Sequence, residues 1–265
     1  MRARVLVWSL ASLLIWILRP CPVEAQGGPP YVTNDPATPG PLRWEINLGY
    51  IPLLSRGQSM TDMPDVDLNF GLGERIQLTF EFAWQRLNVQ PAPAQYGLSQ
   101  DELGVKWRFY DDDKRGLAVS VFPQVAFNNP AGSVEPELGA SLTLPVQLSK
   151  RLGPISVNAE LGYTLVHGAP NGWLVGVVAG HEKTIGHRKP KLLEFDFEFY
   201  GSGDVDGSVS RETIGGGVRY KLHPPVILLA MAGAGLQRTL PGQPSFVGYV
   251  GVQFLLPRRP FEKND

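Results

Sequence analysis

The chain has 265 residues, with 24 basic and 25 acidic side chains and a formal net charge of −1. So even a balance argues against a general nucleic-acid role. Its 30 glycines and 24 prolines are scattered along the whole length, which disfavours long helices and fits a single all-β domain.

Residues 1–25 read as a secretory signal peptide. Arg2 and Arg4 precede an apolar stretch over residues 5–18, and Val23-Glu24-Ala25 offers small residues where a signal peptidase cuts. The stretch is short against the roughly 20 residues of a membrane-spanning helix. Cys21 follows Arg19-Pro20, a poor context for lipidation, and it is the one cysteine of the chain. The remainder would carry no cysteine and a slightly larger negative charge. Residues 26–42 are rich in proline and glycine and lack alternation. They are expected to fold back into one mouth of the domain, anchored by Tyr31 and Val32, or to hang free.

Strict alternation begins at Trp44-Glu45-Ile46-Asn47-Leu48-Gly49-Tyr50, with Trp, Ile, Leu and Tyr on one face and Glu, Asn and Gly on the other. A period of two is a strand with one apolar face. The pattern recurs over residues 66–72, 76–84, 103–109, 117–127, 138–148, 155–165, 173–181, 193–199, 214–222 and 246–254. Residues 226–236 are apolar on both faces, so a short buried helix competes with a strand there, and Gly233 and Gly235 favour the strand. These segments predict an antiparallel transmembrane β-barrel of about twelve strands over residues 43–256, followed by a tail over 257–265.

Connections support that topology. Residues 52–65, 85–102 and 201–213 are long, whereas 73–75 and 223–225 are short. Long outer loops and short periplasmic turns, with both termini periplasmic, produce this asymmetry. The polar faces carry charge at mid-strand and are rich in glycine, which a solvated face has no use for. Large aromatics such as Trp44, Trp84, Trp107, Trp173 and Phe254 tend towards strand ends, as in an aromatic girdle. The apolar faces therefore turn to lipid and the polar faces inward.

Gly28-Pro29-Pro30-Tyr31-Val32-Thr33-Asn34-Asp35-Pro36 and Arg43-Trp44-Glu45-Ile46-Asn47-Leu48 resemble the opening of a bacterial family of outer-membrane transporters labelled for the meta-cleavage pathway of phenol degradation. Residues 71–79 and 102–109 are similar to its next signatures, and Glu160-Leu161-Gly162-Tyr163-Thr164 to a later one. The resemblance implies an outer-membrane barrel and carries over no substrate.

The predicted inward-facing, channel-lining residues are Glu45, Asp67, Glu81, Glu102, Lys106, Arg108, Glu137, Glu160, Glu194, Asp196, Glu198, Arg219 and Lys221. A triplet recurs at Glu102-Leu103-Gly104, Glu137-Leu138-Gly139 and Glu160-Leu161-Gly162. Its glutamates either give the lumen an acidic character or pair with Lys106, Arg108, Arg219 and Lys221. Hairpin geometry sets Glu194, Asp196 and Glu198 beside Arg219 and Lys221, where opposite charges attract. The expectation is a narrow, mildly cation-favouring passage for small solutes, with lipid as its surroundings.

Asp204-Val205-Asp206-Gly207-Ser208 contains part of a calcium-loop pattern but lacks its remaining ligands, so a solvated turn is expected and no metal or cofactor is predicted. Residues 111–115 read as a charged hairpin turn. Catalysis is not expected, because no histidine among His167, His181, His187 and His223 falls beside the inward Ser141 or Ser156. A non-conducting structural or adhesion barrel is the competing expectation, since many small barrels have filled interiors.

Overall fold

The computed structural model describes residues 27–136, 138–185, 191–223, 225–239 and 242–256. The predicted signal peptide, the C-terminal tail, Glu137 and His187 lie outside them. Fourteen strand segments form one antiparallel sheet: β1 (Trp44–Ser55), β2 (Gln58–Gly71), β3 (Ile76–Val89), β4 (Gln95–Leu98), β5 (Gln100–Asp112), β6 (Leu117–Val121), β7 (Gln124–Asn128), β8 (Ser141–Leu152), β9 (Ile155–Val166), β10 (Gly172–Ile185), β11 (Lys191–Asp204), β12 (Ser210–His223), β13 (Val226–Gly235) and β14 (Pro244–Leu256).

Two wall positions are each built from two segments. β4 and β5 run on from one another along β3, and β6 and β7 both bridge β5 to β8. The second break falls at Phe122-Pro123, where proline has no N–H to give the ladder. Twelve strands therefore make up the wall. Pairing of β1 with β14, from Trp44 opposite Leu256 to Ser55 opposite Pro244, closes it. The predicted all-β, twelve-stranded transmembrane barrel is the observed fold.

The distribution of side chains is inverted relative to a water-soluble protein. Phe197 is 72% exposed and Leu161 65%, whereas Gln147 and Asn158 are fully buried and Glu198 is 4% exposed. Soluble domains bury their large apolar residues and expose their charges, while membrane barrels do the reverse.

At one end the connections are short, as expected. At the other end the predicted long loops are largely strand. β1 and β2 continue to a two-residue turn at Arg56-Gly57, where Gly57 takes a positive φ of 78°. β11 and β12 likewise reach Asp204 and Ser210. The alternation misses this extension because the register shifts between Gly49 and Ile51 on β1 and between Asp62 and Asp65 on β2. A bulge moves later residues onto the opposite face, so the period-two frame breaks although the strand continues.

β13, the segment with apolar residues on both faces, is a strand. Ile227, Leu229 and Met231 point inward and form a buried cluster with Tyr249, Val178 and Tyr31. Outward on the same strand is Leu228, which is exposed. The barrel thus has a small apolar core inside its wall as well as an apolar exterior.

Leu161 tests the orientation of the wall. Leu161→Arg in lipid vesicles is expected to lower stability by about 2–4 kcal/mol, the cost of a cation deep on a lipid-facing surface, as measured by urea titration. A loss within about 0.5 kcal/mol, usual for water-exposed positions, would show that this face meets water.

Candidate functional site

The barrel interior is built from a segment that precedes the barrel. Leu42 donates its N–H to the Gly71 carbonyl at 2.8 Å, and Gly71 donates to the Arg43 carbonyl at 3.0 Å. Thr38 Oγ1 donates to the Glu74 carbonyl at 3.0 Å. These bonds hold the base of the segment at the short turn between β2 and β3. From there the chain crosses the lumen and reverses, with Gly28 N–H bonded to the Thr33 carbonyl at 2.8 Å and Tyr31 N–H to the Gly28 carbonyl at 3.0 Å.

The far wall grips this loop by its backbone. Thr33 N–H donates to Glu198 Oε1 at 2.7 Å and Asn34 N–H to Glu160 Oε2 at 3.0 Å. An Arg219 amine donates to the carbonyls of Gly27 and Gly28 at 2.7 and 2.9 Å, while its guanidinium lies 5.6 Å from the Tyr31 ring centre. Hydrogen bonds to charged groups contribute about 1.5–3 kcal/mol each.

Inward glycines provide the space. A Cβ on Gly176 would come within 2.2 Å of Thr33 Oγ1, and one on Gly217 within 2.6 Å of the Tyr31 hydroxyl. Of the two expected anchors, Tyr31 is buried as anticipated, but Val32 is half exposed and faces the internal cavity.

The space left is a cavity of about 870 Å³, bounded by this segment and by the inner faces of the wall. Glu45, Asp67, Glu81, Glu102, Lys106, Glu160, Glu194, Arg219 and Lys221, all predicted to face inward, line it. Asp196 and Glu198 are buried beside the inserted loop. Arg108 departs from the expectation: it sits at the short-turn rim, bonded to the Glu74 carbonyl at 2.8 Å and paired with Asp111 at 3.3 Å. A second cavity of about 270 Å³ lies towards the opposite end, against β2, β3, β5 and β7.

The lumen is two-faced. One side carries the apolar cluster of β13 and β14. The other carries carboxyls held by amides: Asn47 Nδ2 and Asn69 Nδ2 each donate to Asp67 at 2.9 Å, Gln147 Nε2 donates to Glu160 at 2.9 Å, and Gln124 Nε2 donates to Glu102. Gln147 is itself fixed by Ser120, whose hydroxyl donates to Oε1 at 2.7 Å.

Of the two expectations for the triplet glutamates, an acidic lumen or pairing with bases, Glu102 and Glu160 have amide partners that fit the first. An amide donor steadies a carboxylate without cancelling its charge, whereas an ion pair removes the charge from the lumen. Glu194 stands opposite Arg219 across the β11–β12 ladder, and that arginine also holds the carbonyls of Gly27 and Gly28. Lys106 Nζ lies 4.7 Å from the Phe122 ring centre, and Lys221 is 3.8 Å from Glu182.

Residues 204–208 form a self-contained turn. Ser208 Oγ donates to Asp204 at 2.7 Å and Ser208 N–H to Asp206 at 2.9 Å. That N–H holds the Asp206 carboxyl below the usual carboxylate range. Among the described residues, no group of three His, Cys, Asp or Glu side chains is placed to hold a metal ion. His181 is exposed and its Nδ1 lies 2.8 Å from the Pro154 carbonyl, on the face away from the lumen.

Sequence reading missed several of the groups that shape this site. Asp62 and Asp65 lie in what read as a loop. Tyr249 is an inward aromatic in an alternation whose other large residues, Phe246 and Val250, face out. Asn47, Gln147 and Asn158 carry no charge, so only their frame in the alternation marks them.

The closed antiparallel barrel with a polar lumen defines the class of fold. No protein-family model and no curated protein matches the sequence. Among solved structures, an outer membrane channel from Pseudomonas putida F1 aligns with 87% of this chain and 100% of its own, at 10% identity and a TM-score of 0.55. The NanC porin aligns with 80% of this chain and 98% of its own at 11% identity, and the KdgM porin with 78% and 98% at 11%; both have a TM-score of 0.52. At such identities the likeness is one of fold.

Gly176→Val is expected to displace the inserted loop without disturbing the wall, since the short contacts of its new side chain would be with Thr33. Limited proteolysis of the folded barrel should then cut within residues 27–42, and adding Thr33→Gly should restore protection. Equal protection of the single variant and the parent would contradict this docking.

Proposed function

We propose that the chain is an outer-membrane β-barrel that passes small solutes, cations ahead of anions, through a narrow polar lumen. The observation that carries this reading is a closed wall, apolar outside, around two cavities that meet at carboxyls. A barrel of eight strands is filled by side chains and one of 16–18 holds a wide channel, so twelve strands leave room for a restricted path. Carboxyls steadied by amides keep the path negative, which favours cations. The short turns and both ends of the barrel chain belong on the periplasmic side in this reading, following the asymmetry usual for such barrels. The porin and channel folds that align with the chain support the same reading, as does the resemblance of its first half to transporters labelled for phenol degradation; neither identifies the solute.

The inserted segment favours a second reading, a non-conducting structural barrel, because it occupies part of the lumen. Hydrolase chemistry gains no support: His181 faces out while Ser156, one register step away opposite Gly180, faces in.

Planar-bilayer recording under a KCl gradient separates these. The parent barrel is expected to pass small currents with a reversal potential favouring K⁺, and deletion of residues 27–40 to raise the conductance several-fold. Silence from both the parent and the deletion would establish the non-conducting reading. A preference for chloride would contradict the role given to the carboxyls.

A further inference from the structure

Three carboxyls, Asp65, Glu81 and Glu102, line both cavities and so stand where the two adjoin. They come from three neighbouring strands. Asp67 stands opposite Glu81 in the β2–β3 ladder, and Glu81 stands opposite Glu102 in the β3–β5 ladder. Asp65 precedes Asp67 by two residues on β2, and both are buried. Like charges directly across a sheet repel; Lys106, which lines the same cavity, offsets part of that repulsion, and a proton or a bound cation would offset the rest.

An independent feature points into the same place. Tyr249 is 4% exposed and its hydroxyl has no hydrogen-bond partner among the described residues. Its ring lies against Gly49 and Gly251, where an added Cβ would approach ring atoms to 2.9 and 2.5 Å. This sets the hydroxyl beside Gly49, which stands opposite Asp65 in the β1–β2 ladder, on the cavity that Asp65, Asp67 and Glu81 line. A buried hydroxyl without a partner costs about 1–3 kcal/mol, and a water of hydration would satisfy it. Direct chelation does not fit, because no three acidic or histidine side chains among the described residues converge on one point. The surroundings are those of an outer-sphere site, with oxygens spaced around an ion that keeps its water.

We propose that Asp65, Asp67, Glu81 and Glu102, faced by the Tyr249 hydroxyl, form a binding station for a hydrated cation at the junction of the two cavities. This rests on the reading of the lumen as a solute path, and gives that path its selective point. The amides on Asp67 and Glu102 keep those carboxyls oriented. The station and the inserted segment line the same cavity, which stays open with that segment in place.

Cobalt(III) hexammine is the probe, since its inert ammine shell imitates a hydrated ion and excludes chelation. Titration calorimetry on the detergent-solubilised full barrel is expected to show saturable binding. The pair Glu81→Gln and Glu102→Gln should weaken it by about tenfold or more, and Glu81→Gln alone by less. Asp206→Asn, in an exposed turn, should leave it unchanged. Heat-modifiable gel mobility checks that each variant is folded, and removal of crowded acids is not expected to cost stability.

No binding by the parent at pH 7.5 would mean that a proton fills the site and would overturn the proposal. So would binding by the double variant as tight as by the parent. A barrel that binds the probe but passes no current keeps the station and loses the channel. One that conducts K⁺ with selectivity and probe binding untouched by the double variant keeps the channel and loses the station.

Discussion

Every backbone group in a sheet must find a partner, and the pairing of β1 with β14 is where this molecule meets that requirement. In hydrocarbon an unpaired N–H or carbonyl costs several kcal/mol, so an open edge is not tolerated. Closure removes both edges and also fixes an inside. Once the twelve strands form a ring, each residue of alternate parity is committed either to the surroundings or to a small enclosed volume. The inverted burial follows: leucines and phenylalanines outward, amides and acids inward. It also explains why the interior is organised by hydrogen bonds, since groups that would be solvated in a soluble protein must satisfy one another here.

That enclosed volume is filled asymmetrically. The wall from β9 to β12 carries the glutamates, the arginine and the glycines that hold residues 27–42. β13 and β14 add apolar side chains against which Tyr31 packs, and β2, β3 and β5 keep their carboxyls turned to open space. Charge is thus used in two ways within a few ångströms. On one wall Glu160 and Glu198 are spent on backbone N–H groups of the inserted segment. On the other, Asp65, Glu81 and Glu102 remain at the junction of the cavities. The division could not arise if these acids were paired off with bases, because such pairs would neutralise both walls alike.

Much of this was legible in the amino-acid order. Eleven of the twelve wall strands coincide with segments of period-two alternation and β13 with the segment apolar on both faces, and in a closed wall parity alone decides direction. Legibility failed where parity fails. The bulge around Met63-Pro64 hid the upper parts of β1 and β2, and with them Asp62 and Asp65. On β13 both faces are apolar because its inner face covers Tyr31, a contact with no trace in local pattern. Val32 was expected to be buried with Tyr31 on hydrophobicity alone, yet the tight loop at Gly28 to Thr33 turns the two side chains apart. Arg108 sat in frame for the lumen, but a register shift between Arg108 and Tyr110 and the nearness of the rim let it reach a turn carbonyl instead.

The inserted segment also constrains how the molecule can assemble. Its bonds to the far wall join residues separated by 165 and 192 positions, Thr33 with Glu198 and Gly27 with Arg219. Contacts of such separation form late, after the entropy of a very large chain loop has been overcome. The stretch that lies ahead of every strand therefore has no cradle until β9 to β12 are in place, and closure of β1 on β14 joins residues still further apart.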